Sequence, residues 1–308
     1  MTTADLLMGT TWVTDGGLET DLIFHRGIDL PEFASFPLVE DDDGAAALKQ
    51  YFLEYTEIAS AAGAGILLET PTWRANGGWG AVLGYDARSL DRINQASVDL
   101  VRESIASSGL RRTLVSGAIG PRGDGYLARD TDADEAADYH HAQVRSFAAA
   151  GADLVHAMTM TGAAEAIGVV RAGRAEGLPV AISFTVETDG RLPDGTTLAE
   201  ALATVEKNAA ADWYGVNCAH PTHLIPALED TIDSPLTFYR PNASTMSHAE
   251  LDQMTELDTG DVTQLANATT HVRGLMPSIA VLGGCCGTDS RHVAALWGVD
   301  AREIRRPG

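Results

Sequence analysis

Lysine is all but missing from this chain. Lys49 and Lys207 are the only two in 308 residues. Neither stands at the end of a predicted strand, which argues against Schiff-base chemistry. Long apolar runs are absent too, none approaching the roughly 20 residues needed to span a bilayer. The opening Met1-Thr2-Thr3-Ala4-Asp5 lacks the basic and apolar regions of a secretory signal. A cytoplasmic, reducing setting is therefore expected, in which thiols stay free for metal or chemistry. Basic charge is scarce: 21 basic side chains face 43 acidic ones, a formal net charge of -22. That excludes nucleic acid and anionic membrane as main partners, because both require basic surface. It is compatible with a solubilising surface and mildly favours a cationic ligand. Cysteine is limited to Cys218, Cys285 and Cys286. The last two are adjacent, and neighbours cannot easily reach disulfide geometry.

Hydrophobic residues make up 45% and charged residues 21%, the profile of a soluble globular protein. Strand-like apolar runs alternate with helix-like segments throughout. The predicted strands cover 11–14, 65–70, 113–119, 152–158, 179–185, 213–217, 236–239 and 279–282. Helices are expected over about 45–62, 89–107, up to Ala150 from the acidic loop at Asp130 to Asp134, 163–176 and 198–210. A short helix after His220-Pro221, a longer one over 249–272 and a last one ending near Arg305 complete the set. Eight strand–helix units of βαβ size predict an α/β fold, a (β/α)₈ TIM barrel. A doubly wound sheet would need a phosphate-binding glycine turn after its first strand, and none is there. No low-complexity linker interrupts the pattern, so residues 1–308 read as a single domain.

In such a barrel the chemistry collects where strands run into the following loops. Those positions hold Asp15, Gly16 and Gly17; Glu69 and Thr70; Gly120; Met158 and Thr159; Glu187; Asn217 and Cys218; Asn242; Cys285 and Cys286. A lone buried cysteine ordinarily behaves as a small hydrophobe. All three at strand ends, with glycines around the adjacent pair, point instead to metal. Strands six and eight flank strand seven, so Cys218 can reach Cys285 and Cys286. Three thiolates and an open fourth position suit a catalytic Zn2+, whereas a structural four-cysteine site would need one more cysteine. His220 and His223 could complete such a set, but a helix start gives them ordinary polar roles. His140 and His141 lie mid-helix and are expected in solvent.

An open zinc–thiolate site lowers the pKa of an incoming thiol, which then binds as thiolate. Three cysteinates outweigh the ion's two positive charges, so the bound sulfur stays electron-rich. That suits attack on a methyl group carried by a positively charged nitrogen or sulfur. It suits water activation less, because surplus negative charge weakens the ion as a Lewis acid.

These residues resemble the homocysteine S-methyltransferase family across the whole chain. The motifs are Asp15-Gly16-Gly17 followed by Glu19-Thr20, Glu69-Thr70 followed by Trp73 and Asn76, and Gly117-Ala118-Ile119-Gly120-Pro121. Gly215-Val216-Asn217-Cys218 and Gly283-Gly284-Cys285-Cys286-Gly287-Thr288 carry the most specificity. The resemblance implies a barrel with zinc on Cys218, Cys285 and Cys286, and small-molecule partners: a thiol acceptor and a methyl donor. It also implies that the amides of the Asp-Gly-Gly turn face the substrate carboxylate. Asp15, Gly16, Gly17, Glu69, Thr70, Thr159, Glu187 and Asn217 are the candidate substrate contacts. Met158 stands where the family usually carries a glutamate for the substrate ammonium. Either Asp15 or Glu187 takes over that charge, or the acceptor is another thiol.

Donors in the family include S-methylmethionine, S-adenosylmethionine, betaine and methylfolate. Trp73, Trp79, Tyr126 and Tyr239 lie near strand ends and are the candidates for an onium contact. No Asp-x-His-x-x-Gly corrinoid signature appears, which argues against methylfolate through a built-in cobalamin. A zinc hydrolase and a non-catalytic metal- or thiol-binding barrel are the alternative readings. A homo-oligomer is compatible with everything in the sequence.

Overall fold

The computed structural model describes residues 6–228 and 236–304. The N-terminal Met1–Asp5 and the expected helix end at Arg305 lie outside them. Eight parallel strands close into a barrel in sequential order. They are β1 (Trp12–Val13), β2 (Gly65–Glu69), β3 (Thr113–Ile119), β4 (Leu154–Met160), β5 (Val180–Phe184), β6 (Trp213–Asn217), β7 (Phe238–Arg240) and β8 (Val281–Leu282). The seam is short: Trp12 pairs with Val281, and Val13 with Leu282.

Eight helices surround the barrel: α1 (Asp42–Ala62), α2 (Ala87–Ala106), α3 (Ala133–Ala149), α4 (Ala163–Ala175), α5 (Leu198–Ala209), α6 (Pro221–Leu228), α7 (Val262–Leu275) and α8 (Ser290–Leu296). Their starts are written in the sequence. Asp41, Asp86, Asp132, Thr197, Asp261 and Asp289 each accept first-turn amides, satisfying donors that a helix start leaves unpaired. The single helix expected over 249–272 is two pieces, His248–Leu251 and α7. Gly260, in the left-handed region at φ 55°, and the Asp261 cap make the break.

Side chains alternate along each strand between the barrel interior and the helix layer. Val13, Ile66, Leu68, Val155, Ile182, Val216, Tyr239 and Leu282 join the core under the helices. Trp12, Leu67, Leu114, Leu154, Ala181, Trp213, Phe238 and Val281 form a separate apolar plug inside the barrel. One step further along the strands the interior turns polar. There His156 bridges Glu69 Oε1 (2.7 Å) and Ser183 Oγ (2.7 Å). The next inward layer bears Met158, Asn217 and Arg240, and it opens to the loops.

His140 corrects the expectation that it faces solvent. It is fully buried, with Nε2 2.8 Å from Glu165 Oε1, because α3 packs that face on α4. His141 is partly exposed and bonds Glu176. No helix among the described residues is long and apolar enough to cross a membrane.

Candidate active site

Period-two alternation would send Cys218 outward, since the preceding Asn217 points in. The backbone prevents this: Cys218 takes φ 55°, and the same happens at Thr159, φ 61°, after inward Met158. Left-handed conformations at residues other than glycine cost about 1–2 kcal/mol each. At Thr159 the strand also shifts register against β5, so β4 runs to Met160 rather than ending at Met158. One side chain holds Thr159 in place. Asn217 Oδ1 accepts from the Thr159 amide (2.6 Å) and Asn217 Nδ2 donates to Thr159 Oγ1 (2.9 Å).

The three cysteine sulfurs converge, all lying within 4.8 Å of one another. The Cys285 amide donates to Pro241 O and the Cys218 amide to Arg240 O, so strand seven ties both loops together. Asn242 Nδ2 lies 3.5 Å from Cys218 Sγ, and Asn217 Nδ2 lies 3.7 Å from Cys285 Sγ. The Tyr126 hydroxyl rests on the cluster, 3.1 Å from Cys218 Sγ and 3.7 Å from Cys286 Sγ.

Glycine matters here for close approach rather than for unusual torsions. A Cβ on Gly17 would lie 2.5 Å from Cys285 O, and one on Gly284 would lie 2.0 Å from Thr288 Oγ1. With Gly283, whose Cβ would lie 2.5 Å from Asp15 O, Gly17 lets the loops after β1 and β8 touch backbone to backbone.

Thiol acidity follows from sharing. Neighbouring Cys285 and Cys286 donate to Cys218 and hold its thiol well below the usual range. The same contacts with Cys218 push both neighbours above it. Metal binding requires all three to be deprotonated, so two firmly held protons must leave. Affinity for zinc should therefore rise with pH, by up to about two log units per pH unit, and fall on acidification. Competition with a colorimetric chelator across a pH series measures this. A pH-independent affinity would contradict it.

Beyond the sulfurs lies a cavity of about 60 Å³, lined in part by Asp15, Glu69, Met158, Arg240, Cys285 and Cys286. Arg240 organises it. Its Nε donates to Gly284 O (2.8 Å) and its Nη2 to Gly16 O (3.0 Å). Its Nη2 also lies 3.2 Å from Asp15 Oδ2, while Nη1 is 3.6 Å from both Glu69 Oε1 and Met158 Sδ. Burial alone would lower its pKa, but Asp15 and Glu69 outweigh burial and keep it charged. Asp15 also accepts from Tyr51 (3.2 Å). Glu69 Oε2 is buried and has no hydrogen-bond partner.

Asp15, Gly16, Gly17, Glu69, Thr70, Thr159 and Asn217 all line this cavity, as does Met158. Besides the paired Thr159 and Asn217, Gly17 and Thr70 are already engaged. The Gly17 amide donates to Thr288 O, so it is not free for a substrate carboxylate. Thr70 Oγ1 accepts from the Ala118 amide and pairs with Thr72. Glu187 lies outside the cavity lining. Its Oε1 takes the Nδ1–H of His248 (2.8 Å), whose Nε2–H goes to Cys218 O (2.8 Å).

Both His248 partners are acceptors, so both ring nitrogens carry protons. Burial opposes that charge, but the Cys218 and Glu187 contacts raise the pKa to about 10. His220 and His223 bond Thr222 and Thr245 and do not join the sulfurs. Tyr239 faces outward and bonds Ala219 O.

Arg240 and His248 were not among the sequence candidates. Reading strand seven one residue longer would have placed Arg240 inward. Nothing local marks His248, since its partners are distant in sequence.

A wider vestibule of about 310 Å³ adjoins the cavity and shares Thr20, Phe33, Trp73, Tyr126 and Cys286 with it. Phe33, like Glu32 before it, sits at positive φ (57° and 55°), and it lines both cavities.

Fold and cluster together define a barrel with a metal-competent thiolate centre at the C-terminal ends of its strands. The chain belongs to the homocysteine S-methyltransferase family, whose model matches residues 12–298. Among solved structures it is similar to the Escherichia coli homocysteine methyltransferase MmuM. The metallated form is 22% identical with a TM-score of 0.76, covering 96% of this chain and 99% of that one. The oxidised form is 23% identical with a TM-score of 0.77, covering 96% and 98%. Pyruvate carboxylase from Rhizobium etli shares the fold at 14% identity and a TM-score of 0.50, over 98% of this chain and 26% of that one. No curated protein sequence matches significantly.

Proposed function

We propose that this protein is a zinc-dependent S-methyltransferase moving a methyl group from an onium donor to a thiol, homocysteine or a close relative. The observation that supports it most is the convergence of Cys218, Cys285 and Cys286 at the base of a cavity holding both carboxylates and a guanidinium. Cys218, Cys285 and Cys286 would hold the zinc. When bound, that ion supplies the positive charge that keeps an acceptor thiol ionised at neutral pH.

The other steps belong to the chain's own groups. Arg240 Nη1, with only a thioether and a carboxylate at 3.6 Å, is available to an acceptor carboxylate. Glu69 Oε2, unpartnered and buried, is available to a proton donor such as an ammonium. Between them they orient the acceptor with its sulfur toward the cysteines. The donor enters from the vestibule past Trp73 and Tyr126, whose ring faces attract an onium methyl. The new S–CH₃ bond forms as the bond from methyl to the onium centre breaks. Its electron pair leaves with the neutral amine or sulfide. Holding both partners in line turns a bimolecular encounter into an effectively unimolecular step.

A hydrolase would need a general base poised over the centre. Among the described residues, the hydrogen-bonding groups against the sulfurs are instead the Tyr126 hydroxyl and the Asn217 and Asn242 amides. The test is a matrix of thiols against onium donors, using zinc-loaded and chelator-stripped protein and mass spectrometry. A gain of one methyl on a thiol, dependent on zinc, is expected. Full activity in the stripped protein would sink the zinc assignment, and no methylated thiol anywhere in the matrix would sink the reaction.

A further inference from the structure

The loop after β2 carries an arginine whose surroundings the reaction has not yet used. Arg74 follows Trp73, and its guanidinium carbon lies 3.7 Å from the Trp79 ring centre and 5.2 Å from that of Trp73. Both rings are themselves pinned. Trp73 Nε1 donates to Met158 O and Trp79 Nε1 to Gly123 O, each at 3.4 Å. The loop below is fixed by Thr72 Oγ1 on Ala118 O and by Asn76, which accepts from the Trp79 amide and the Tyr139 hydroxyl. Arg74 is thus held over an indole face and lines the vestibule.

It is also unsatisfied. In this acidic chain, Arg26, Arg92, Arg122, Arg171, Arg240 and Arg291 each have a carboxylate within 4 Å. Arg74 has no hydrogen bond or ion pair among the described residues, and its Nε is buried without a partner. Burial lowers its pKa, and the more distant Asp124, Glu19 and Glu32 do not make up the difference. A half-buried guanidinium without an acceptor is costly, because buried polar groups are ordinarily paired. Stacking on Trp79 offsets part of that cost but leaves the in-plane N–H donors unused. Those donors form a fork whose natural complement is a carboxylate.

The vestibule that Arg74 lines reaches Cys286, and Trp73 and Tyr126 lie on the wall it shares with the inner cavity. A molecule with an onium centre at that shared wall would bring a nearby anionic group into reach of Arg74. We infer that Arg74 anchors the carboxylate of the methyl donor and selects donors that carry one within a few carbons of the onium centre. This rests on the methyl-transfer reading above. It assigns to the donor a contact separate from Arg240, which faces the acceptor.

The test compares acid and amide forms of the same donor. Zinc-loaded protein is titrated calorimetrically with S-methylmethionine and its carboxamide, and with glycine betaine and its amide. Wild type and Arg74→Gln are run in parallel. Wild type should bind the better acid about 10- to 100-fold more tightly than its amide. In Arg74→Gln, acid and amide should bind alike. In turnover, Arg74→Gln should raise the donor KM by a similar factor while the thiol KM stays unchanged, and Arg74→Lys should restore part of the loss.

Retained acid preference in Arg74→Gln would overturn the proposal. Equal weakening of both forms would overturn it too, marking Arg74 as a structural stacking partner. Zinc content and melting temperature of the variants show whether they are folded. Failure of the reaction is read separately. If wild type methylates no thiol, carboxylate-dependent binding still decides the role of Arg74, and its absence overturns it.

Discussion

Cys285→Ala is expected to leave the purified protein without stoichiometric zinc and to cut thiol methylation by more than about 100-fold. That bound follows because loss of a group merely supporting a metal ligand already costs about 10- to 100-fold. Loss of one sulfur from three leaves two ligands where catalytic zinc takes three from the protein. The fold should survive. Cys285 is only partly buried, and its backbone bonds to Pro241 and Thr288 do not involve the side chain. Metal analysis, circular dichroism and the methylation assay on one preparation separate these effects. A variant with full zinc occupancy and wild-type turnover would remove the cysteine cluster from the mechanism.

Arg240→Met should be the most destabilising substitution in the cavity, by about 3–5 kcal/mol, the range for stranding one member of a buried charge pair. Asp15 and Glu69 would remain in the barrel with no cation beside them, and Gly16 O and Gly284 O would each lose a donor. Urea denaturation measures the loss. Adding Asp15→Asn removes one of the stranded charges, so the double variant should regain part of it. Wild-type stability in Arg240→Met would mean that the guanidinium does not hold the floor together.

The barrel was readable because each strand is an apolar run closed by a polar or glycine-rich turn, a pattern that needs no long-range information. The cysteines were readable for the same reason, Cys218 standing one residue past its run and Cys285 and Cys286 just beyond the Gly283-Gly284 turn that closes theirs. What escaped was whatever depends on a local departure from that pattern. Strand seven reads from its apolar run as ending at Tyr239, whereas it continues through Arg240. Asp15 and Glu69 supply the charge that lets Arg240 sit there, and they lie far away in sequence.

The left-handed turns at Thr159 and Cys218 could not be foreseen in residues other than glycine, and they are what re-aim those two positions. Glu187 sits beyond a strand end as expected, yet His248 holds it on the far side of Cys218. The amphipathic pattern of α3 gave no sign that His140 meets Glu165 on the next helix.

The two-residue strands β1 and β8 make the arc around the seam the thinnest part of the barrel, with two register pairs across the seam and two on each side of it. Yet the loops leaving those strands interlock, the Gly284 amide on Asp15 O and the Gly17 amide on Thr288 O. Cys285 and Cys286 leave from one side of that seam, and their partner Cys218 leaves from β6. An ion gripped by all three would favour the closed ring over an open one, and its binding energy would add to the free energy of closure. During synthesis the last two ligands emerge well after the first. Zinc held there would thus tighten a barrel that closes without it, and could do so only once the last two cysteines have been made.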